Sequence, residues 1–283
     1  MPPAAGKSRL IYLIPFIVLG IFLGIFLIAV MPGSHADEQD AAPEPRSPKL
    51  EMEGFDPGSI MSNDVFFDTT TMDRDQISAF VNEWNDGCRE GADGAPCLAD
   101  YTEDTPTWTA DAFCAGDFVG EQGDSAAAII DKAAQACQVN PQVLLTILQK
   151  EQGLITASGR HLNQDRYAIA MGYACPDGGA CDPKYMGFAR QVYSAARQFQ
   201  MYRLQPAMYE VVAGQVNNIA YNPDPECGGS EIYIENQATA GLYNYTPYQP
   251  TEATLKGMPE QCSSWGNMNF YGLFQAWFGS ARG

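Results

Sequence analysis

Histidine is nearly missing from this chain: its 283 residues include two, His35 and His161. No H-E-x-x-H or other His-rich spacing that would hold zinc occurs, so no metal and no other cofactor is expected. Basic residues are also scarce. There are 16 Lys and Arg against 34 Asp and Glu, for a formal charge of −18. Phosphate backbones call for the opposite sign, so nucleic acid is excluded as a partner. G-x-S-x-G, G-x-x-x-x-G-K-[ST] and G-x-G-x-x-G are all absent, which leaves α/β-hydrolases, P-loop enzymes and dinucleotide-binding enzymes without support. No C-x-x-C pair exists, so zinc knuckles and thioredoxin-type sites are set aside. Internal repeats and low-complexity tracts are missing too.

The sequence is otherwise that of a globular protein, 46% hydrophobic and 18% charged, with one or two domains as the prior. Residues 10–31 form an apolar run without a charge, long enough to span a bilayer as a helix. Lys7 and Arg9 precede it, whereas Asp37, Glu38 and Asp40 follow it. That asymmetry keeps residues 1–9 in the cytoplasm and exports the rest. A cleaved signal peptide, with Ser34-His35-Ala36 as the cleavage site, is the competing reading; the length of the run favours an uncleaved anchor. Residues 32–52 are acidic, with Pro43, Pro45 and Pro48, and read as an extended tether.

Cys88, Cys97, Cys114, Cys137, Cys175, Cys181, Cys227 and Cys262 make an even set in an exported chain. Four structural disulfides are the better reading than free thiols, and a cysteine protease is disfavoured. Pairing neighbours in order gives 88–97, 114–137, 175–181 and 227–262.

Beyond the tether, 53–123 reads as a small first module. Its helix at 72–85 places Ile77, Phe80, Val81 and Trp84 at helical spacing, with Asp73 and Gln76 as a capping pair. Core packing is the reading preferred for that stripe. A second helix covers 124–136, capped by Asp124 or Ser125 and rich in alanines that suit close helix contact. Residues 154–183 read as irregular, with a C-x5-C loop. Asp182-Pro183 then opens a long helix to about Tyr202, with Phe188, Val192, Ala195, Phe199 and Tyr202 as its core stripe. Gln191 lies on the border of that stripe, where its amide could point into a cleft. Two short strands at 218–221 and 231–234 form a hairpin. Asn236 caps a helix to Leu242, and 270–278 forms a final aromatic helix.

One helix stands out. Residues 140–153, N-P-Q-V-L-L-T-I-L-Q-K-E-Q-G, begin with an N-cap Asn and a first-turn Pro and end with a Gly. Leu144, Ile147, Leu148 and Glu151 fall at i, i+3, i+4 and i+7 and so share one face. A carboxyl among apolar side chains stays protonated, the state in which a general acid cleaves a glycosidic bond. Glu151 is therefore the candidate catalytic residue. Tyr173, Tyr243, Tyr245, Tyr248 and Trp265 fall in expected loops, and aromatic faces with amides suit sugar rings. Gln191, Tyr173, Tyr243, Tyr245 and Tyr248 are the candidate substrate-binding set. His161 reads as an ordinary loop histidine.

The segment V-L-L-T-I-L-Q-K-E-Q-G-L-I (143–155) resembles the glutamate-bearing helix of the lysozyme-like superfamily, particularly soluble lytic transglycosylases and related peptidoglycan hydrolases. Glu151 occupies the place of the catalytic glutamate, with Gln152 where the family has serine. Gly187-Phe-Ala-Arg-Gln191 resembles the family's cleft-lining G-x-M-Q segment, and 236–248 its tyrosine-bearing late helix. From about Phe55 onward the chain is also similar to a group of exported actinobacterial proteins. The elements and the resemblance together imply a mainly α (α+β) fold: a lysozyme-like helical domain over 124–283, with a small β-hairpin, stapled by disulfides. The resemblance implies that Glu151 protonates the MurNAc–GlcNAc linkage of peptidoglycan glycan strands. A transglycosylase then uses the MurNAc 6-hydroxyl, whereas a hydrolase needs a second carboxylate, with Asp165, Asp177 and Asp182 the nearest in sequence. The alternative is a non-catalytic wall-binding or scaffold protein on the same fold.

Overall fold

A computed structural model describes residues 46–283. The expected membrane segment at 10–31, the cytoplasmic 1–9 and most of the tether lie outside those residues. Among the described residues no helix is long and apolar enough to cross a membrane.

The described chain is mainly helical. In order it carries α1 (Asn63–Phe66), α2 (Arg74–Trp84), β1 (Thr102–Glu103), β2 (Asp124–Ser125), α3 (Ala126–Cys137), α4 (Pro141–Gln152), α5 (Gln164–Ala168), α6 (Phe188–Leu204), β3 (Gln215–Ala220), β4 (Gly229–Ile234), α7 (Gln237–Tyr245), α8 (Glu252–Leu255) and α9 (Gly266–Phe278). Two antiparallel pairs, β1–β2 and β3–β4, make up the sheet structure. Helix α3 is central: it packs against α2, α4 and α6, while α4 also lies on α9 and α6 on α7. Its alanines explain the crowding. Ala126, Ala127, Ala128, Ala133, Ala134 and Ala136 are all buried, and side chains this small let three neighbours approach.

At α2 and α4, local chemistry caps the helices as the sequence predicts. Asp73 and Gln76 form the reciprocal capping box of α2. Helix α4 runs from Pro141 to Gln152, with Asn140 as N-cap and Gly153 left-handed at φ 65°. Asn140 is also a tertiary clamp. Its amide donates to Val65 O at 2.7 Å and accepts from the Thr71 hydroxyl at 2.6 Å. Val143, Leu144, Leu145, Ile147 and Leu148 are buried, each worth on the order of 2 kcal/mol of apolar transfer.

The four disulfides pair neighbours in order, as expected: Cys88–Cys97, Cys114–Cys137, Cys175–Cys181 and Cys227–Cys262. The hairpin forms as expected, with β3 beginning three residues earlier, at Gln215. Cys227 in its connection is tied to the segment before α9.

Four expectations need correction. The stretch 53–123 does not keep a core to itself: Ile77 and Val81 join the same apolar cluster as α3 and α4, and Cys114–Cys137 crosses residue 123. Asp182-Pro183 opens a 3-10 turn, Pro183–Tyr185, not the long helix. Helix α6 starts at Phe188, because Gly187 takes φ 106° and its N–H is drawn to Ala168 O. The 154–183 stretch is not wholly irregular, since it contains α5 and the 3-10 turn Gly159–His161. Finally, α7 continues past Leu242 to Tyr245, which makes two of the expected loop tyrosines helical.

One buried ion pair offers a test of the scaffold. Asp124, before α3, accepts from Lys132 Nζ at 2.7 Å and from the Thr105 hydroxyl. Burial alone would raise its carboxyl, but the bonds from Lys132 and Thr105 and the ammonium charge outweigh burial and hold it below its ordinary value of 3.8. A depressed carboxyl stabilises the fold above that ordinary value, and the stabilisation fades as pH falls through the folded-state value. Lys132→Met strands Asp124, and the expected cost is about 2 kcal/mol at pH 7. Thermal melts of both proteins between pH 3 and pH 7 check this: the gap between them should narrow towards the acid end.

Candidate functional site

The last turn of α4 carries the site. Lys150 and Glu151 are sequence neighbours, and on a helix such neighbours do not normally face each other. Here the hydroxyl of Thr246, just after α7, accepts from Lys150 Nζ at 2.6 Å and swings the ammonium across. Lys150 Nζ then reaches Glu151 Oε1 at 2.5 Å. The Glu151 side chain is 22% exposed. Its surroundings are therefore a partly open ion pair, not the closed apolar wall expected from its place on the stripe.

The other carboxylate oxygen, Oε2, lies over Gly172. A Cβ built there would sit 2.8 Å from it, and Gly172 has φ +68°, so the backbone and the carboxylate both require glycine. Gly172→Ala is expected to cost about 1–2 kcal/mol of stability from the left-handed backbone alone. Because the added methyl also displaces Oε2, any turnover that depends on Glu151 should fall about 10-fold or more, as small misplacements of a catalytic group do. Melting curves and product release measured on the same preparation separate the two effects.

Gly172 opens onto a cleft of about 370 Å³ that is also lined by Tyr173, Ala174, Cys175, Pro176, Gln198, Tyr202 and Tyr245. Cys175 and Pro176 of the Cys175–Cys181 loop supply part of its wall. Tyr245 stacks on Phe199, with ring centroids 4.9 Å apart, and donates to Met171 O at 2.7 Å. Burial, with the nearby Glu151 charge adding to it, pushes the Tyr245 phenol well above its ordinary value, so it remains a proton-bearing donor. Tyr173 Oη donates to Gln198 Oε1 at 3.3 Å, which places an amide and a phenol together on the cleft wall.

The candidate residues divide on inspection. Glu151, Tyr173 and Tyr245 meet around Gly172. Tyr248 stands apart: its hydroxyl donates to Asp177 at 2.8 Å, and it lines a separate cleft of about 1020 Å³ beside β3. Burial, with Asp177 beside it, pushes its phenol up to about 12. Tyr243, at 0% exposure, is a core residue that underlies the same 1020 Å³ cleft without a solvent-exposed ring. Gln191, 1% exposed, does not point into a cleft. Its Oε1 accepts from Met171 N and Tyr173 N, and its Nε2 donates to Tyr173 O and Tyr185 O. It anchors the cleft wall from beneath.

Lys150, Thr246, Gly172, Gln198 and Tyr202 are the residues that sequence reasoning missed. Lys150 falls outside the apolar stripe that singled out Glu151, and no periodicity signals a partner 96 positions away. No residue lining the 370 Å³ cleft is a carboxylate; Glu151 borders it through Gly172. Asp177 is engaged by Tyr248, Asp182 caps the 3-10 turn, and Asp165 lies in the first turn of α5. Among the described residues no group of three or more His, Cys, Asp and Glu converges to hold a metal. No protein-family model matches the chain, nor does any curated protein or solved structure.

Proposed function

We propose that this chain is an extracytoplasmic, lysozyme-like enzyme that cleaves the MurNAc–GlcNAc linkage of peptidoglycan glycan strands through one glutamate, in the manner of a lytic transglycosylase. Segment 10–31 tethers it to the cytoplasmic membrane. Four disulfides support an oxidising location outside that membrane. The observation that carries the reading is that Glu151 lies against Gly172, a lining residue of a tyrosine-walled cleft that holds no carboxylate of its own. Glu151 serves as the acid once Lys150 has turned aside and the carboxyl carries a proton, which it gives to the glycosidic oxygen as the C1–O bond breaks. The carboxylate left behind lies against Lys150 and then accepts the proton of the attacking MurNAc 6-hydroxyl. Each proton is accounted for without a water nucleophile.

The Lys150–Glu151 pair favours a second reading, a wall-binding or scaffold protein in which the glutamate holds the end of α4 in place. Muropeptide release from purified cell wall separates the two. The enzyme reading requires release by the wild type and its loss in Glu151→Gln. Binding of wall without release by either protein supports the scaffold.

A further inference from the structure

A third cleft, of about 460 Å³, shares Tyr173 with the cleft beside Gly172. Its composition is at odds with the rest of the molecule. In a chain of net charge −18 with 16 basic residues, Lys184, Arg190 and Arg197 all line this one space. Their partners differ. Arg197 is committed, with Nε and Nη2 both 2.7 Å from Asp111 Oδ2, so that carboxylate is already neutralised. Arg190 has no carboxylate among the described residues. Its guanidinium lies 4.7 Å from the centroid of Trp108, whose ring is itself stacked on Tyr193 at 4.5 Å and 21°. Lys184 likewise has an aromatic partner in place of an ion pair, with its ammonium 5.2 Å from the centre of Tyr185.

A guanidinium laid on a ring is oriented by the ring face while its N–H edges stay free. That is the posture in which arginine takes a carboxylate or phosphate with two parallel bonds. Lys184 adds a movable point charge, and a concave wall concentrates the field of both cations. Tyr185 and Tyr173, edge to face at 5.0 Å, supply apolar ring surface beside the cations, and Thr107, Thr109 and Ser194 supply hydroxyls around them. Ring surface and hydroxyls suit a sugar; free cations suit an acidic one.

We propose that this cleft is a binding site for an anionic glycan, in which Arg190 and Lys184 hold a carboxylate or phosphate and Tyr185 packs against the sugar or polyol that carries it. The site stands apart from Glu151 and does not depend on cleavage. Tyr173 is the one residue that lines both this cleft and the one beside Gly172.

Calorimetric titration of the full-length chain in detergent, at 50 mM and 200 mM salt, tests the assignment with three probes. They are tetragalacturonate for carboxylates, a short poly(glycerol phosphate) for phosphates and neutral chitotetraose. At least one anionic probe should bind 10-fold or more tightly than chitotetraose and weaken as salt rises. Preference between the two anionic probes identifies the source of the charge. The Lys184→Gln, Arg190→Gln double variant should lose that 10-fold. Arg190→Lys keeps the charge without the fork and should lose several-fold. Lys184 is exposed, so Lys184→Gln alone serves if the double variant melts early, again with a several-fold loss expected. Glu151→Gln should bind the same probes as strongly as the wild type, so failure here and failure of the cleavage reading are scored separately. Equal binding of all three probes, no binding of either anionic probe, or full binding by the variants overturns the proposal.

Discussion

Glu151→Gln is expected to lower muropeptide release from purified cell wall by about 100-fold or more while leaving the melting temperature nearly unchanged. The size follows from the loss of a positioned proton donor, which in general acid catalysis is worth roughly 10²–10⁴-fold. The near-neutral effect on stability follows from shape. Glutamine is isosteric, so its Oε1 still accepts from Lys150 Nζ and its terminal atoms still clear Gly172. What disappears is one partly exposed ion pair, worth at most about 1 kcal/mol. The pairing of a large kinetic effect with a small thermal one is the discriminating feature. A structural glutamate would show no kinetic difference, with both proteins releasing muropeptides alike or neither releasing any. Wild type and variant digesting at the same rate would remove Glu151 from the chemistry.

The ends of α4 were legible because they are local. Asn140, Pro141 and Gly153 are adjacent to the helix they bound, and each acts through its own backbone geometry. The capping box of α2 was legible for the same reason, whereas the disulfides, which span up to 35 residues, simply follow the order of their cysteines. What surrounds Glu151 was not. Its apolar stripe was read correctly, but the stripe says only that one side of the helix is covered; the covering group near the end proved to be an ammonium held by Thr246. The tyrosines fail in a related way. Read as loop residues, Tyr243 and Tyr245 look equivalent. On a helix, two positions apart means nearly opposite faces, so one fills the core and the other lines the cleft. Gln191 misleads because a polar side chain on a stripe border reads as half-exposed, and only the tertiary fold supplies four backbone groups for it to satisfy.

That clamp carries the largest expected stability effect. Gln191→Leu preserves volume and helix propensity, so α6 itself should persist. The loss falls on the segment it holds. Met171 N and Tyr173 N, at 3.2 Å and 3.0 Å, lose an acceptor. Tyr173 O and Tyr185 O, at 2.9 Å and 2.8 Å, lose donors. Each buried group left unpaired costs about 1–3 kcal/mol, but Tyr173 and Tyr185 are only half-buried and water can reach part of the set. A net destabilisation of about 3 kcal/mol is therefore expected, or a melting temperature lower by roughly 6–12 °C. Function should suffer separately, because Tyr173 borders both clefts and Gly172 beside it positions Glu151. At temperatures where the variant is fully folded, muropeptide release and anionic-probe binding should both weaken, whereas Glu151→Gln impairs the first alone. Gln191→Glu refines the assignment: it keeps the acceptor for the two N–H groups but turns a carboxylate oxygen onto the two carbonyls, and should melt at or below the leucine variant. A Gln191→Leu protein that melts with the wild type would show that the 171–185 segment is held in place by its other contacts.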